Sequence, residues 1–191
     1  MHKTQIIKKI ISYCSILCLL GLCHLSLADA PHQIDKAASA KAPWKSGATV
    51  VRGNRHIIQK SVDPADYKAV SVYRVFLGVT NTGRYIVQEF YTTKDAKATN
   101  SYLLINKEDV TKEFCDVSDP DDPCESSIEG EYTTWYPNGQ KEIQSNYTNG
   151  QLHGSYEQFY NNGQKMCEAT YEQGDEIGHS SLWSYEGYQI L

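Results

Sequence analysis

The sequence lacks a basic footprint. Its 191 residues carry 18 Lys and Arg against 23 Asp and Glu, a formal net charge of −5, whereas binding along a phosphate backbone needs an excess of the opposite sign. Nucleic acid is thereby excluded as a partner. After residue 30 there is no apolar run long enough to span a bilayer. Catalytic signatures are missing as well. The nearest approach to a nucleophile elbow, Gly178-His179-Ser180-Ser181-Leu182, ends in leucine where G-x-S-x-G requires glycine. His32, His56, His153 and His179 are scattered, none four residues from another, so no metal-ligand spacing forms. The acidic run Asp116, Asp119, Asp121, Asp122 and Glu125 has neither the glycine nor the glutamate of a calcium loop in register. It reads as a solvated loop. No enzyme, metal or cofactor is expected.

What is present begins with a leader. Lys3, Lys8 and Lys9 precede an apolar run from Ile10 to Leu27, and small residues follow in Leu25-Ser26-Leu27-Ala28-Asp29-Ala30. That is the order of a secretory signal, predicting a signal helix over 1–28 and export to the bacterial periplasm or medium. The cut is expected after Ala28, with Ala30 as the alternative; Pro31 would follow the second cut and hinder it. An uncleaved anchor is the competing reading of the same run, and the one route to membrane contact. Loss of three lysines with the leader makes the remaining chain three charge units more negative. Cys14, Cys18 and Cys23 leave too, and Cys115, Cys124 and Cys167 stay. In an oxidising compartment, Cys115 and Cys124, which bracket a loop rich in Asp and Pro within residues 115–129, are expected to be joined.

Residues 130–191 follow a 24-residue period. Gly130, Gly154 and Gly178 correspond; so do Trp135, Phe159 and Trp183, and Gly139, Gly163 and Gly187. Tyr132 matches Tyr156, Tyr136 matches Tyr160, Asn138 matches Asn162, and Tyr147 with Gly150 matches Tyr171 with Gly174. Gly-Gln-Lys recurs at 139–141 and 163–165. In the third copy Ser180 replaces the tyrosine. Such a period marks a stacked array with atypical end units.

Each unit reads as a β-hairpin. Asn138-Gly139 and Asn162-Gly163 are favoured central pairs for a tight turn in which both residues take positive φ, and Asn149-Gly150 turns into the next hairpin. Between turns the pattern has period two: Gly130, Tyr132, Thr134 and Tyr136 share one face, and Glu131, Thr133 and Trp135 the other. Glycine at each strand start is expected to admit a neighbouring ring. Cys167 takes the place of Ile143 and reads as a small hydrophobe on the packed face. Lys141 and Lys165 recur with the repeat, as surface solubility or as a strip for acidic partners. One hairpin is marginal in water; stacking joins the aromatics into a row.

These residues resemble the bacterial MORN-variant repeat, G-x-Y-x-x-W-Y-x-N-G-Q-K followed by Y-x-N-G and G. Gly130 to Lys141 and Tyr147 to Gly154 carry the match, and Gly154 to Gly178 carries it again with Phe159 in place of tryptophan. Chains of this kind are often placed with YwqK-type toxin–antitoxin antitoxins. The resemblance implies a mainly β fold, an antiparallel meander of stacked hairpins that binds proteins or lipid head groups without catalysis. The leader departs from that pattern, because an exported chain does not meet a cytoplasmic toxin.

Residues 31–66 begin with a polar, alanine-rich stretch and are expected to be a largely irregular tether, with a hairpin about Gly53-Asn54. Residues 67–114 read as three strands with a turn at Asn81-Thr82-Gly83, and 107–114 as one helical turn. They continue the sheet or cap its first edge. Gly83 to Lys97 is faintly like Gly130 to Lys141, which makes this region a candidate degenerate repeat. The expected function is an exported, non-catalytic protein that binds a protein partner through Trp135, Tyr136, Phe159, Tyr160 and Trp183. Those rings serve either as core or as contact strip. Antitoxin-like neutralisation, an envelope enzyme and a lipid-head-group binder are the alternatives.

Overall fold

The structure, a computed structural model, describes residues 32–60, 66–114 and 127–191. The leader, the Cys115–Cys124 pair and the acidic run 116–125 lie outside the described residues.

Among the described residues, nine antiparallel strands form one sheet in strict chain order. They are β1 (Thr49–Ile58), β2 (Tyr67–Val79), β3 (Tyr85–Tyr91), β4 (Tyr102–Leu104), β5 (Ile128–Trp135), β6 (Lys141–Thr148), β7 (Gln151–Phe159), β8 (Lys165–Glu172) and β9 (Asp175–Leu182). The expected meander of hairpins is the fold, and the strands of 67–114 continue the sheet. A 3-10 turn at Glu108–Val110 stands where one helical turn was expected.

The tether reading of 31–66 is corrected. Asp35 caps a short helix α1 (Lys36–Ser39), accepting from the Ala37 and Ala38 amides at 2.8 and 3.0 Å. The segment is pinned to β2: Ser39 Oγ accepts from the Val79 amide at 2.8 Å, and Trp44 packs on Phe76 with centroids 5.5 Å apart. These tertiary contacts override a polar, alanine-rich composition. Nor do Gly53 and Asn54 turn. They run through β1 opposite Val72 and Ser71, and a Cβ on Gly53 would stand 3.0 Å from the Phe114 ring. Glycine is needed there for close approach.

Turns in the repeats are of two kinds. Asn149-Gly150 has φ of 52° and 82°, and Gln173-Gly174 has 53° and 90°, the paired positive values of a tight two-residue hairpin turn. The Asn138-Gly139 expectation is corrected. Only Gly139 and Gly163 are positive, at 85° and 84°, and Asn138 and Asn162 are not. Pro137 explains the first case, since its ring fixes negative φ and starts an ordinary turn. The Tyr136 amide donates to Gln140 O at 2.8 Å and the Gly139 amide to Tyr136 O at 2.9 Å. Thr80–Arg84, Tyr160–Gln164 and Ser184–Tyr188 close in the same way.

The strand-start glycines admit no ring. A Cβ on Gly130 or Gly178 would meet nothing within 4 Å. Their φ values of 81° and 79°, with 96° at Gly154, show that the backbone conformation is what excludes other residues.

Order in the sheet is linear, yet its first strand meets its middle. Arg55 of β1 pairs with Glu142 of β6, and Ile58 of β1 clusters with Tyr160 and Met166. The sheet therefore curls, so that one face turns inward. Phe76, Val79, Val87, Tyr102, Leu104, Val110 and Ile128 form the largest cluster there.

Candidate functional site

The site candidates start from a dipeptide. In a strand, neighbouring side chains point to opposite faces, so Trp135-Tyr136 and Phe159-Tyr160 each send one ring inward and one outward.

Inward, the tyrosines form a ladder. Tyr136 is 1% exposed and Tyr160 is 6%. Tyr136 Oη donates to Phe159 O at 2.8 Å, and Tyr160 Oη to Trp183 O at 3.0 Å. Tyr91 makes the equivalent bond to Trp135 O at 2.6 Å. Each hydroxyl thus reaches the backbone of the following unit. Burial holds Tyr91 and Tyr136 well above the ordinary phenol range, so these groups stay protonated donors. Tyr136 and Tyr160 are core, and their place in the expected contact strip is corrected. A buried phenol must satisfy its O–H, and the next unit's carbonyl does so.

Around this ladder lie, among the described residues, two buried ion pairs that sequence reasoning missed. Arg55 pairs with Glu142, which also accepts from Thr134 Oγ1 at 2.9 Å. Arg74 pairs with Glu89 at 2.9 Å, and Tyr102 Oη donates to the same carboxylate at 2.6 Å. Arg74 also donates to Asp109 O at 2.8 Å and Lys112 O at 3.1 Å. Burial opposes the charge on Arg55, but Glu142 together with Tyr91, Tyr132 and Glu89 outweighs it and keeps the guanidinium protonated. These charges stand in strands that otherwise alternate apolar and polar. Nothing in the period signals their pairing, because Arg55 and Glu142 are 87 positions apart.

Outward, the second ladder alternates lysine with aromatic. Lys97 lies over Trp135 at 4.5 Å, Lys141 over Phe159 at 5.6 Å and Lys165 over Trp183 at 5.6 Å. In register, Trp135 also faces Lys141 and Phe159 faces Lys165. Each of those two rings therefore has a lysine on either side. The recurrence of Gly-Gln-Lys was the legible signal, and the lysines' role is stacking on the next unit's ring. Lys165 also donates to Glu157 and Glu168, both at 2.7 Å, and these bonds hold its ammonium above the ordinary range. Trp135, Phe159 and Trp183 are half-buried, and Trp135 Nε1 donates to Asn100 at 3.1 Å.

The turns add a third line of contacts. Asn138 Nδ2 donates to Asn161 O at 2.6 Å, and Asn162 Nδ2 to Tyr185 O at 2.8 Å. Gln140 lies against Gly163, and Gln164 against Gly187. Tyr, Asn, Gln and Lys of the repeat each engage the unit that follows.

Among the described residues, four units share this geometry. Phe90 bridges to Lys97 as Trp135 pairs with Lys141, Phe159 with Lys165, and Trp183 with Gln189. With Tyr91 on the inner ladder, the faint likeness of Gly83–Lys97 to the repeat has a structural counterpart.

Two of these units match a known repeat. Residues 128–149 and 152–173 match the MORN repeat variant. No curated protein and no solved structure matches the chain. The matched segments span β5–β8 and carry Trp135 and Phe159 of the strip, while the first unit and the third repeat copy, with Trp183, fall outside them.

Chemically, the outer strip can stack, donate and pair. Cys167 is half-buried, and burial pushes its thiol up. It faces Gln158 and Leu182 in register, while Met166 beside it is the buried residue of β8. Among the described residues, no three His, Cys, Asp or Glu side chains gather as a metal site.

Proposed function

We propose that this protein is a non-catalytic repeat scaffold that binds a protein partner on its outer lysine–aromatic strip. The observation that carries the reading is the alternation Lys97, Trp135, Lys141, Phe159, Lys165, Trp183 on one face. The rings repeat once per hairpin, about 10 Å apart from the usual strand spacing. Lysines beside them fix their orientation, so little side-chain freedom is left to lose on docking. Rigid, half-buried aromatics of this kind are the common anchors of protein interfaces. The matched repeat, which often serves binding, agrees with this reading.

Where the partner is met follows from the leader. The basic, apolar and small-residue order of residues 1–28 supports export, so the partner is an envelope or extracellular protein.

The test is paired capture. Tagged wild-type protein is compared with the Phe159→Ala, Trp183→Ala double variant in the envelope fraction, with thermal melts of both. One stoichiometric partner held by the wild type, and lost by a variant that still melts cooperatively, supports the reading. Equal capture by both proteins refutes it.

A further inference from the structure

The array is directional, and its last described unit lacks the tyrosine that donates forward. Tyr136 and Tyr160 donate to the following unit, but the corresponding residue of the last unit is Ser184, whose Oγ instead accepts from the Tyr188 amide at 3.3 Å. Glu186 and Tyr188 stand where Asn162 and Gln164 stand in the preceding unit. A return strand begins there. The Trp183–Gln189 bridge repeats the Phe159–Lys165 pairing, and Leu182 exchanges bonds with Ile190 and Leu191 at 2.8 to 3.4 Å. That strand covers only the Leu182 end of β9. The remaining edge, Asp175–Ser181, has no outer strand among the described residues, and residues 175–179 are all exposed.

Apolar exposure is concentrated at this end. Among the described residues, five of the six exposed large hydrophobic side chains, Ile177, Leu182, Tyr188, Ile190 and Leu191, lie in the last unit, the sixth being Ile34. The row of inner rings also stops. Tyr132 packs on Tyr147 and Tyr156 on Tyr171, with centroids 6.1 and 5.9 Å apart, but Ser180 takes the corresponding place and leaves it open.

We propose that the outer edge of β9 receives an extended strand from another protein, which completes the last hairpin. An open edge presents unpaired amides and carbonyls to such a strand. The array itself specifies the chemistry of the guest. Its return strands β6 and β8 place a small residue at Ser145 and Ala169 and a tyrosine two positions on, at Tyr147 and Tyr171. A guest in the same register runs antiparallel to β9, sets a small residue and then an aromatic beside Ser180, and ends beside Asp175 and Glu176. A Lys or Arg at that end complements those carboxylates. This site is separate from the outer strip, and it stands or falls without it.

The probe is a synthetic peptide with the sequence Ile143–Thr148 followed by two lysines, titrated into the full chain labelled with 15N. The expected result is saturable one-to-one binding, with amide shifts confined to Asp175–Ser181. The substitutions Asp175→Lys and Glu176→Lys sit at exposed positions of β9. Together they are expected to weaken binding of that peptide about tenfold and to favour the same peptide ending in two glutamates, as charge complementarity requires. Absence of binding, shifts that map to the outer strip, or binding indifferent to the charge reversal would overturn the proposal. So would self-association through the same amides, because the edge would then belong to a second copy.

Discussion

Tyr136 Oη lies 2.8 Å from the backbone oxygen of Phe159, 23 residues further on. The same step separates Tyr160 Oη from Trp183 O at 3.0 Å. Here the repeat period becomes a bond. Tyr91, Tyr136 and Tyr160 recur in the three units that have a successor, and each gives its hydrogen to the next unit's carbonyl.

Removing that hydroxyl gives the first expectation. Tyr136→Phe keeps the ring and leaves the Phe159 carbonyl without its donor, which should cost about 1–2 kcal/mol of stability. Urea unfolding of the variant beside wild type measures it. A change under a few tenths would show that water replaces the bond freely.

Gly139 and Gly163 separate two roles of glycine. Both have φ near +85°, so alanine at either is strained by about 1 kcal/mol or more. At Gly139 a Cβ would meet nothing, whereas at Gly163 it would stand 3.0 Å from Gln140 Oε1. Gly163→Ala should therefore destabilise more than Gly139→Ala. The excess should vanish when Gln140→Ala is added, which a double-mutant cycle in denaturant reads directly.

Alkaline pH should unfold the chain cooperatively. Burial raises Tyr102 and Tyr132 well above the ordinary phenol range. Burial and the Asp95 hydrogen bond push Tyr73 up to about 12. In the unfolded chain these phenols ionise near pH 10. Stability from the protonated forms is thus fully present below about pH 10 and is lost as pH climbs through the higher folded-state values. Tyrosinate absorbance should rise in a late, steep step that coincides with loss of the β circular-dichroism signal. A gradual rise centred on pH 10 with the fold intact would contradict the buried ladder.

Cys167 should be slow to react. Its half-buried thiol is raised by burial, and the thiolate is the reactive form. At pH 8, alkylation at Cys167, followed by mass spectrometry of its peptide, should run about tenfold slower or more in native than in urea-unfolded protein. Equal rates would place the thiol in open solvent.

How much of this was legible follows from what a period can encode. Hairpins, strand faces and unit boundaries are local, and Trp135, Tyr136 and their counterparts announce them at fixed spacing. The alternation already set Tyr136 and Trp135 on opposite faces, so grouping both in one contact strip conflicted with it. Turn type was misread because Asn-Gly alone does not set φ; Pro137 does. Gly53-Asn54 looked like a turn for the same reason, and the Phe114 ring, 61 residues away, decided otherwise. Arg55 with Glu142 depends on the curl of the sheet, which no local pattern carries, whereas Arg74 and Glu89 face each other across β2 and β3 once that register is known. Lys141 and Lys165 were visible as recurring residues, but their stacking on Phe159 and Trp183 needs the register of adjacent hairpins.

The Arg55–Glu142 clasp bears on how this molecule may be dissected. A fragment starting at Ile128 would keep every matched residue yet lose the cation that neutralises Glu142, stranding a carboxylate among Thr134 and the tyrosines. Losing one member of a buried pair typically costs about 3–5 kcal/mol, comparable with the whole margin of a small domain. The hairpins are therefore no transplantable cassette. Any graft of them onto another scaffold must bring β1 along, or exchange Glu142 for an uncharged side chain such as the methionine its sister unit already has at Met166.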